Sequence, residues 1–200
     1  MKFIRQLRTG ENPSLASLSP KNNVSHGALT LLNNKRFHTH NHHLSHAAAG
    51  FQTSSFNRAT VVVIDAIGEF DTISIYAAEY NREGRAVYKK LWGQKYPHSI
   101  GLFYTAMTKR VGLKPLDEEY ILMGMAAYAM YDASMYGDFV REAHDLNFRQ
   151  NLHLGCDEYR PELDKFQIAA SAQYTLEQCL HQVMLRAEKI SFSQNLVYMG

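Results

Sequence analysis

Residues 38–69 read HTHNHHLSHAAAGFQTSSFNRATVVVIDAIGE, a histidine cluster followed by an alanine-rich stretch and an apolar run that ends on an aspartate. Five of the chain's ten histidines lie within nine consecutive residues of this stretch. His42 and His46 are four residues apart, so a helix would place both imidazole rings on one face. Residues 60–64 are apolar after the first, which is typical of a buried central strand, and Asp65 follows at the carboxyl end. The stretch predicts an α/β fold with a site at that end of the strand.

Imidazole and carboxylate groups are ligands for transition metals such as zinc, iron and manganese. His42, His46 and Asp65 are therefore candidate ligands of one metal ion. Histidines at this spacing also occur on solvated helix faces, and the spacing alone leaves both interpretations open.

The composition is that of an ordinary globular protein, with 46% hydrophobic and 20% charged residues among 200. A net charge of +2 does not favour a nucleic-acid partner. Cys156 and Cys179 are the two cysteines, which excludes a disulfide framework or a cysteine zinc cluster and fits a reducing compartment. No apolar run approaches the length of a membrane span, and no signal-peptide pattern is present. We expect a cytoplasmic protein that contacts neither membrane nor nucleic acid.

The N-terminal part carries little periodic pattern. Residues 9–23 are rich in Ser, Asn, Pro and Gly, which predicts a loop or a poorly ordered arm. Residues 27–32 suit either a short strand or a helix end. His38 and His40 alternate on a short predicted strand, and we interpret them as a solvated strand face.

Periodicity from residue 43 onward predicts alternating helices and strands. The predicted strands cover residues 60–65, 72–80, 86–94 and 195–199, with a hairpin loop at 81–84. The predicted helices cover 43–51, 99–112, a segment beginning near 117, 135–144 and 163–190.

Four blocks of sequence, in this order, resemble the O-carbamoyltransferases of nodulation-factor and antibiotic tailoring. The blocks are Asn41–Phe51, Asp65–Glu69 with Asp71–Ile75 after it, Pro97–Tyr104, and Glu119–Tyr128. A single H-x-x-x-H motif would not be specific, but four ordered blocks are. The resemblance covers residues 38–200.

The resemblance implies part of an actin-like, ribonuclease-H-like ATPase-type domain, an α/β fold with a mixed sheet and flanking helices. Residues 36–200 would form this domain and be an incomplete version of it, while residues 1–35 would be a poorly ordered arm or the remnant of a preceding lobe. The isolated chain is then expected to fold only in part, to be oligomeric or to need complementing chains, and to transfer no carbamoyl group alone.

The implied reaction uses carbamoyl phosphate and ATP with Mg to form carbamoyl-adenylate, from which the carbamoyl group passes to a small-molecule hydroxyl acceptor. A divalent metal of the iron, zinc or manganese class is the other implied cofactor. The implied metal ligands are His42, His46 and Asp65. His43, which directly follows His42, is predicted to be catalytic, through substrate contact or proton transfer. Gly68, Glu69 and Thr72 are the predicted cofactor contacts.

Two alternatives remain open at the level of sequence. Proteins of tRNA threonylcarbamoyl-adenosine modification share a histidine pair and the actin-like fold, although no basic RNA-facing patch is visible in this chain. The other alternative is a non-catalytic product of a split gene that folds with a partner chain.

Overall fold

The structure, a computed structural model, describes residues 40–142 and 145–200. Its elements lie in one compact unit, His42–Gly200. In chain order they are α1 (His42–Thr53), β1 (Arg58–Gly68), β2 (Asp71–Tyr80), β3 (Ala86–Lys95), α2 (Ile100–Arg110), α3 (Glu119–Met125), α4 (Ser134–Phe139), β4 (Val140–Glu142), β5 (Asn147–Phe148), α5 (Lys165–Lys189) and β6 (Leu196–Met199). Short 3-10 turns lie at Ala126–Tyr128 and Leu152–Leu154.

Four strands form one mixed sheet in the order β3-β2-β1-β6. β1 pairs antiparallel with β2 and parallel with β6, so it is an interior strand. Val61, Val62 and Val63 are fully buried, as expected for an apolar strand covered on both faces. The predicted α/β class, with a mixed sheet and flanking helices, is confirmed.

One face of the sheet is covered by α1. Ala47 and Phe51 of this helix are fully buried against the sheet. A side chain at Gly50 would collide with Met199 and Val197 of β6, so glycine lets the helix lie close to the strand. A short helix with small side chains therefore covers this face.

The opposite face carries the larger hydrophobic core, formed with α2, α3, α4 and α5. Phe103 of α2 is fully buried there, with its ring centroid 5.3 Å from that of Phe139 and 6.0 Å from that of Phe148. Ser99 caps α2 as predicted, since its Oγ accepts a hydrogen bond of 3.1 Å from Leu102 N–H. The start of α2 lies next to the end of β1, because Ser99 Oγ donates to the carbonyl of Ala66.

One predicted helix differs from the structure. The helix expected over residues 135–144 ends at Phe139, and the chain continues as β4, which pairs with β5. Val140 is buried in this pairing opposite Phe148. A β-branched residue that gains a strand partner and a place in the core overrides a weak local helix pattern.

Some expectations fall outside the described part of the chain. This applies to the arm predicted over residues 1–35 and to most of the short strand predicted around His38. His40 is described and lies in no strand. In residues 40–142 and 145–200, no helix has the length and apolar character needed to cross a bilayer. Cys156 and Cys179 are both free thiols.

Candidate metal centre

Three side chains from two elements meet at the carboxyl end of β1. His42 and His46 project from the first two turns of α1, and Asp65 projects from β1 toward them. Asp65 Oδ2 is 2.7 Å from His42 Nε2 and 3.8 Å from His46 Nε2. The two Nε2 atoms are 3.1 Å apart. The structure thus brings the three predicted ligands together as a triad.

These distances are near those around a shared cation. Ligand atoms that lie 2.0–2.2 Å from one metal ion stand roughly 2.8–3.5 Å from one another. The 3.1 Å between the two Nε2 atoms lies in the expected range, and the 2.7 and 3.8 Å to Asp65 Oδ2 lie slightly outside it. Hydrogen bonds alone satisfy the arrangement poorly, because His42 Nε2 faces both Asp65 Oδ2 and His46 Nε2 and one ring nitrogen either donates or accepts. A cation among the three atoms would use a lone pair from each. The residues present therefore fit a transition metal held by two imidazoles and one carboxylate.

The carboxylate of Asp65 is oriented by its surroundings. Its Oδ1 accepts a hydrogen bond of 2.6 Å from Ala66 N–H, which leaves Oδ2 directed at the histidines. Ser99 Oγ donates to the carbonyl of Ala66 at 2.7 Å and so ties the end of β1 to the start of α2. The pairing of β1 with β2 is irregular between Ile64 and Gly68, which is a strand irregularity of the kind that re-aims side chains beside sites.

The triad is open on one side. The side chains of His42, His46 and Asp65 are 45%, 32% and 27% exposed. A metal held here by three protein atoms would keep positions for ligands from solvent or substrate, as catalytic sites do.

His43 lies next to the triad, with its ring centroid 6.1 Å from that of His42. It is fully buried, and its Nδ1 lies 2.9 Å from Ser74 Oγ of β2. Its Nε2 has no hydrogen-bond partner within the described residues. Burial, the largest of several influences, lowers the pKa of His43 below the ordinary 6.5, so the ring favours the neutral form. The proposed catalytic role of His43 stays a prediction, and in this arrangement the ring packs behind the triad.

Gly68 makes room for two histidine rings. A Cβ at this position would collide with the ring of His43 and lie 2.8 Å from Cδ2 of His42. The residue pairs with Asp71 where β1 turns into β2. Glycine is thus required here by the close approach of the imidazoles, a role that the sequence did not suggest for it.

The other two predicted cofactor contacts lie at the same turn. Glu69 has a φ of 62°, a left-handed conformation that is uncommon for a non-glycine residue. Thr72 is fully buried, and its hydroxyl donates to the carbonyl of His98 at 2.5 Å. Thr72 therefore joins the turn to the segment before α2. Contact of these residues with a cofactor stays a prediction.

Sequence reasoning missed a buried polar group behind the triad. Ser74 is fully buried beside His43, and Asp71, only 8% exposed, pairs with Lys90 Nζ at 2.7 Å. Polar residues on a strand otherwise buried on both faces are the signal that would have identified them, because buried polar groups need partners.

The comparison with protein families decides which family the chain belongs to. Residues 16–189 match the family model described as carbamoyltransferase N-terminus. The chain belongs to the carbamoyltransferase family. The resemblance drawn from four sequence blocks is therefore confirmed at the level of the family.

Two curated relatives have similar sequences. The uncharacterized protein sll1178 of Synechocystis sp. is 40% identical over 87 residues, which are 44% of this chain and 13% of that protein. The uncharacterized protein MJ1051 of Methanocaldococcus jannaschii is 32% identical over 95 residues, which are 48% of this chain and 17% of that protein. The matched segments are thus a small part of both relatives.

Proposed function

We propose that the complete protein is an O-carbamoyltransferase that takes its carbamoyl group from carbamoyl phosphate, with ATP as activator, and passes it to the hydroxyl of a small molecule. Membership of the carbamoyltransferase family supports the transfer itself. The observation that carries the site is the convergence of His42, His46 and Asp65 on one point at the end of β1.

The proposed domain is actin-like. Three consecutive antiparallel strands, followed by helices and by a strand parallel to the first, give the order β3-β2-β1-β6. The first half of a ribonuclease-H-like sheet requires such a run of three antiparallel strands. The topology supports this reading of the fold.

The proposed reaction has two steps. Carbamoyl phosphate, water and ATP give carbamoyl-adenylate, pyrophosphate and inorganic phosphate. The acceptor oxygen then attacks the carbamoyl carbon, the bond to AMP breaks, and the hydroxyl proton leaves for a base or for solvent. Each step develops negative charge on phosphate oxygens, which a positive centre stabilises.

The triad would hold a divalent metal of the iron, zinc or manganese class, and such an ion supplies Lewis-acid stabilisation of charge on phosphoryl or carbonyl oxygens. His42 and His46 contribute neutral imidazoles, and Asp65 contributes the carboxylate that Ala66 N–H orients. His43 is the proposed catalytic residue, through substrate contact or proton transfer, and its Nδ1 contacts Ser74 Oγ. Gly68, Glu69 and Thr72 are the proposed contacts for ATP with Mg. Thr72 also joins their turn to the segment before α2.

The metal is tested with His46→Ala. This change removes one of three ligands, so bound metal measured by plasma emission after gentle purification should fall from one equivalent to near zero. His181→Ala is the matched control, because His181 is an exposed histidine on α5. Equal metal content in wild type and His46→Ala would reject the site.

The reaction is tested on the complete protein by pyrophosphate release from ATP. Release should depend on added carbamoyl phosphate and decrease strongly in Asp65→Asn, which keeps the size of the side chain and removes its charge. Pyrophosphate release that is independent of carbamoyl phosphate would indicate a plain ATPase instead.

A further inference from the structure

A cavity of about 380 Å³ adjoins the triad. It lies between α2, the loop that follows α2, the 3-10 turn at Leu152–Leu154 and the end of β1. Asp65 lines the cavity, and the same residue is within 2.7 Å of His42. The cavity therefore adjoins the strand residue that carries the carboxylate of the proposed metal centre. The volume is in the range of small-molecule sites.

The cavity is lined mainly by hydrocarbon side chains. Leu102 and Leu152 are buried at its base, and Leu116 and Leu154 lie at its mouth, where they are 77% and 80% exposed. Two such exposed leucines beside one opening are an unusual surface feature for a soluble domain, and contiguous exposed apolar groups mark binding sites.

The mouth is held in place by hydrogen bonds. Leu116 has a φ of 64°, a left-handed conformation that is unfavourable for a non-glycine residue. Glu119 Oε1 accepts from Leu116 N–H at 2.7 Å and from the hydroxyl of Thr105, which also lines the cavity, at 3.1 Å. The side chain of Leu116 is thus kept at the opening although it gains little burial there.

Two polar lining side chains are already engaged, and the exposed His153 also lines the cavity. The hydroxyl of Thr105 donates to Glu119, and Lys109 Nζ is 2.5 Å from Asp157 Oδ2. A highly hydroxylated or polycationic ligand would face leucines with most of its polar groups unpaired, and an unpaired buried polar group weakens binding. An apolar ligand meets no such penalty.

We propose that this cavity holds the apolar body of the hydroxyl acceptor, so that the acceptor is a hydrophobic alcohol and not a free sugar or an aminoglycoside. The hydroxyl end would lie beside Asp65, and the hydrocarbon part would contact the leucines of the base and the mouth. The identification of the bound alcohol as the carbamoyl acceptor rests on the proposed function. The preference of the cavity for an apolar ligand does not.

The test uses 2-naphthol as a hydrophobic hydroxyl probe and methyl glucoside as a polar one, titrated into the complete protein without metal and followed by NMR. 2-Naphthol should bind, and its dissociation constant should rise roughly fivefold or more in Leu154→Ala and in Leu116→Gly because apolar contact is lost. Leu116→Gly should not lower the free energy of unfolding, since glycine adopts a positive φ readily. Methyl glucoside should not compete.

Met130→Ala is the matched control, because Met130 is 84% exposed and does not line the cavity. It should leave 2-naphthol binding unchanged. The proposal is overturned if 2-naphthol does not bind, if Met130→Ala weakens binding as much as Leu154→Ala, or if methyl glucoside competes equally well.

A second measurement separates the cavity from the metal centre. With Mn²⁺ bound, protons of 2-naphthol next to its hydroxyl should relax faster than those of the far ring, and His46→Ala should abolish this difference while binding persists. Uniform relaxation in a metal-loaded wild type would overturn the proposed orientation. If the wild type takes up no metal, the proposed metal centre is rejected, but the titration still decides the preference of the cavity.

Discussion

The two faces of the sheet differ in size and in chemistry. The face that packs α2, α3, α4 and α5 buries large aromatic and aliphatic side chains such as Phe103. The face under α1 buries a smaller set, and next to that set lie the triad and the polar group around His43 and Ser74. The comparison indicates that the large core supplies stability, while the small face positions the candidate metal ligands by close fit.

The largest expected effect separates stability from metal binding. Phe103→Ala and Phe51→Ala each remove a fully buried ring, so each should lower the free energy of unfolding by about 3–5 kcal/mol. Phe51 anchors the helix that carries His42 and His46, whereas Phe103 lies on the opposite face. Only Phe51→Ala should weaken metal binding when folded protein is titrated against a chelator.

Phe103→Leu and Phe51→Leu keep more of each core and provide folded protein if the alanine variants do not fold. They should show smaller stability losses in the same pattern. Equal losses of metal affinity in both leucine variants would contradict the separation of the two faces.

A smaller effect is expected from the close fit on the α1 side. Gly68→Ala places a methyl group where the rings of His42 and His43 lie, which should lower the free energy of unfolding by about 1–3 kcal/mol. Displacement of His42 should also weaken metal affinity by about 10–100-fold, as loss of support for a ligand does. Chemical unfolding and chelator competition measure the two quantities.

Gly124→Ala is the control for this change. A Cβ on Gly124 meets nothing within 4 Å, and the residue lies inside α3. Alanine there should stabilise the protein by up to about 1 kcal/mol because of its higher helix propensity, with no change in metal binding. A Gly68→Ala variant that behaves like this control would show that the rings have room to move.

The smallest expected effect is on the pH dependence of the free energy of unfolding, and it comes from His98, which precedes α2. Burial, and then the charge of Arg141, lowers the pKa of His98 below 6.5, and His98 Nδ1 accepts a hydrogen bond of 3.1 Å from Phe148 N–H. The unfolded chain therefore takes up a proton first as the pH falls. The contribution of His98 is complete above pH 6.5 and is lost progressively below it.

His98→Asn keeps an acceptor and removes the titration. In chelator-treated protein, the free energy of unfolding should fall less between pH 8 and pH 5.5 in His98→Asn than in wild type. Identical falls in the two proteins would show that His98 does not titrate differently on folding.

Much of the fold follows from local patterns. The apolar run of residues 60–64 predicted an interior strand, and alternation predicted the two strands after it, because each pattern reflects burial of the segment's own side chains. Where a partner outside the segment itself decided the outcome, prediction failed. Residues 140–142 became a strand because Val140 pairs with Phe148.

The site shows the same division between local and distant causes. Helical spacing placed His42 and His46 together, and strand order placed Asp65 near them. The same spacing also sets His43 on the stripe of Ala47 and Phe51, a signal of burial that the prediction of catalysis did not use.

The sequence by itself determined the family, the interior strand and the three candidate metal ligands, since these depend on residue types at short, regular spacings. Only the tertiary structure decided that His43 is buried against Ser74 and that Gly68 makes room for the rings. It alone decided the cavity beside Asp65, because the walls of the cavity come from segments that lie far apart in the chain. Contacts between such segments depend on the packing of the whole sheet with its helices, which no local period encodes.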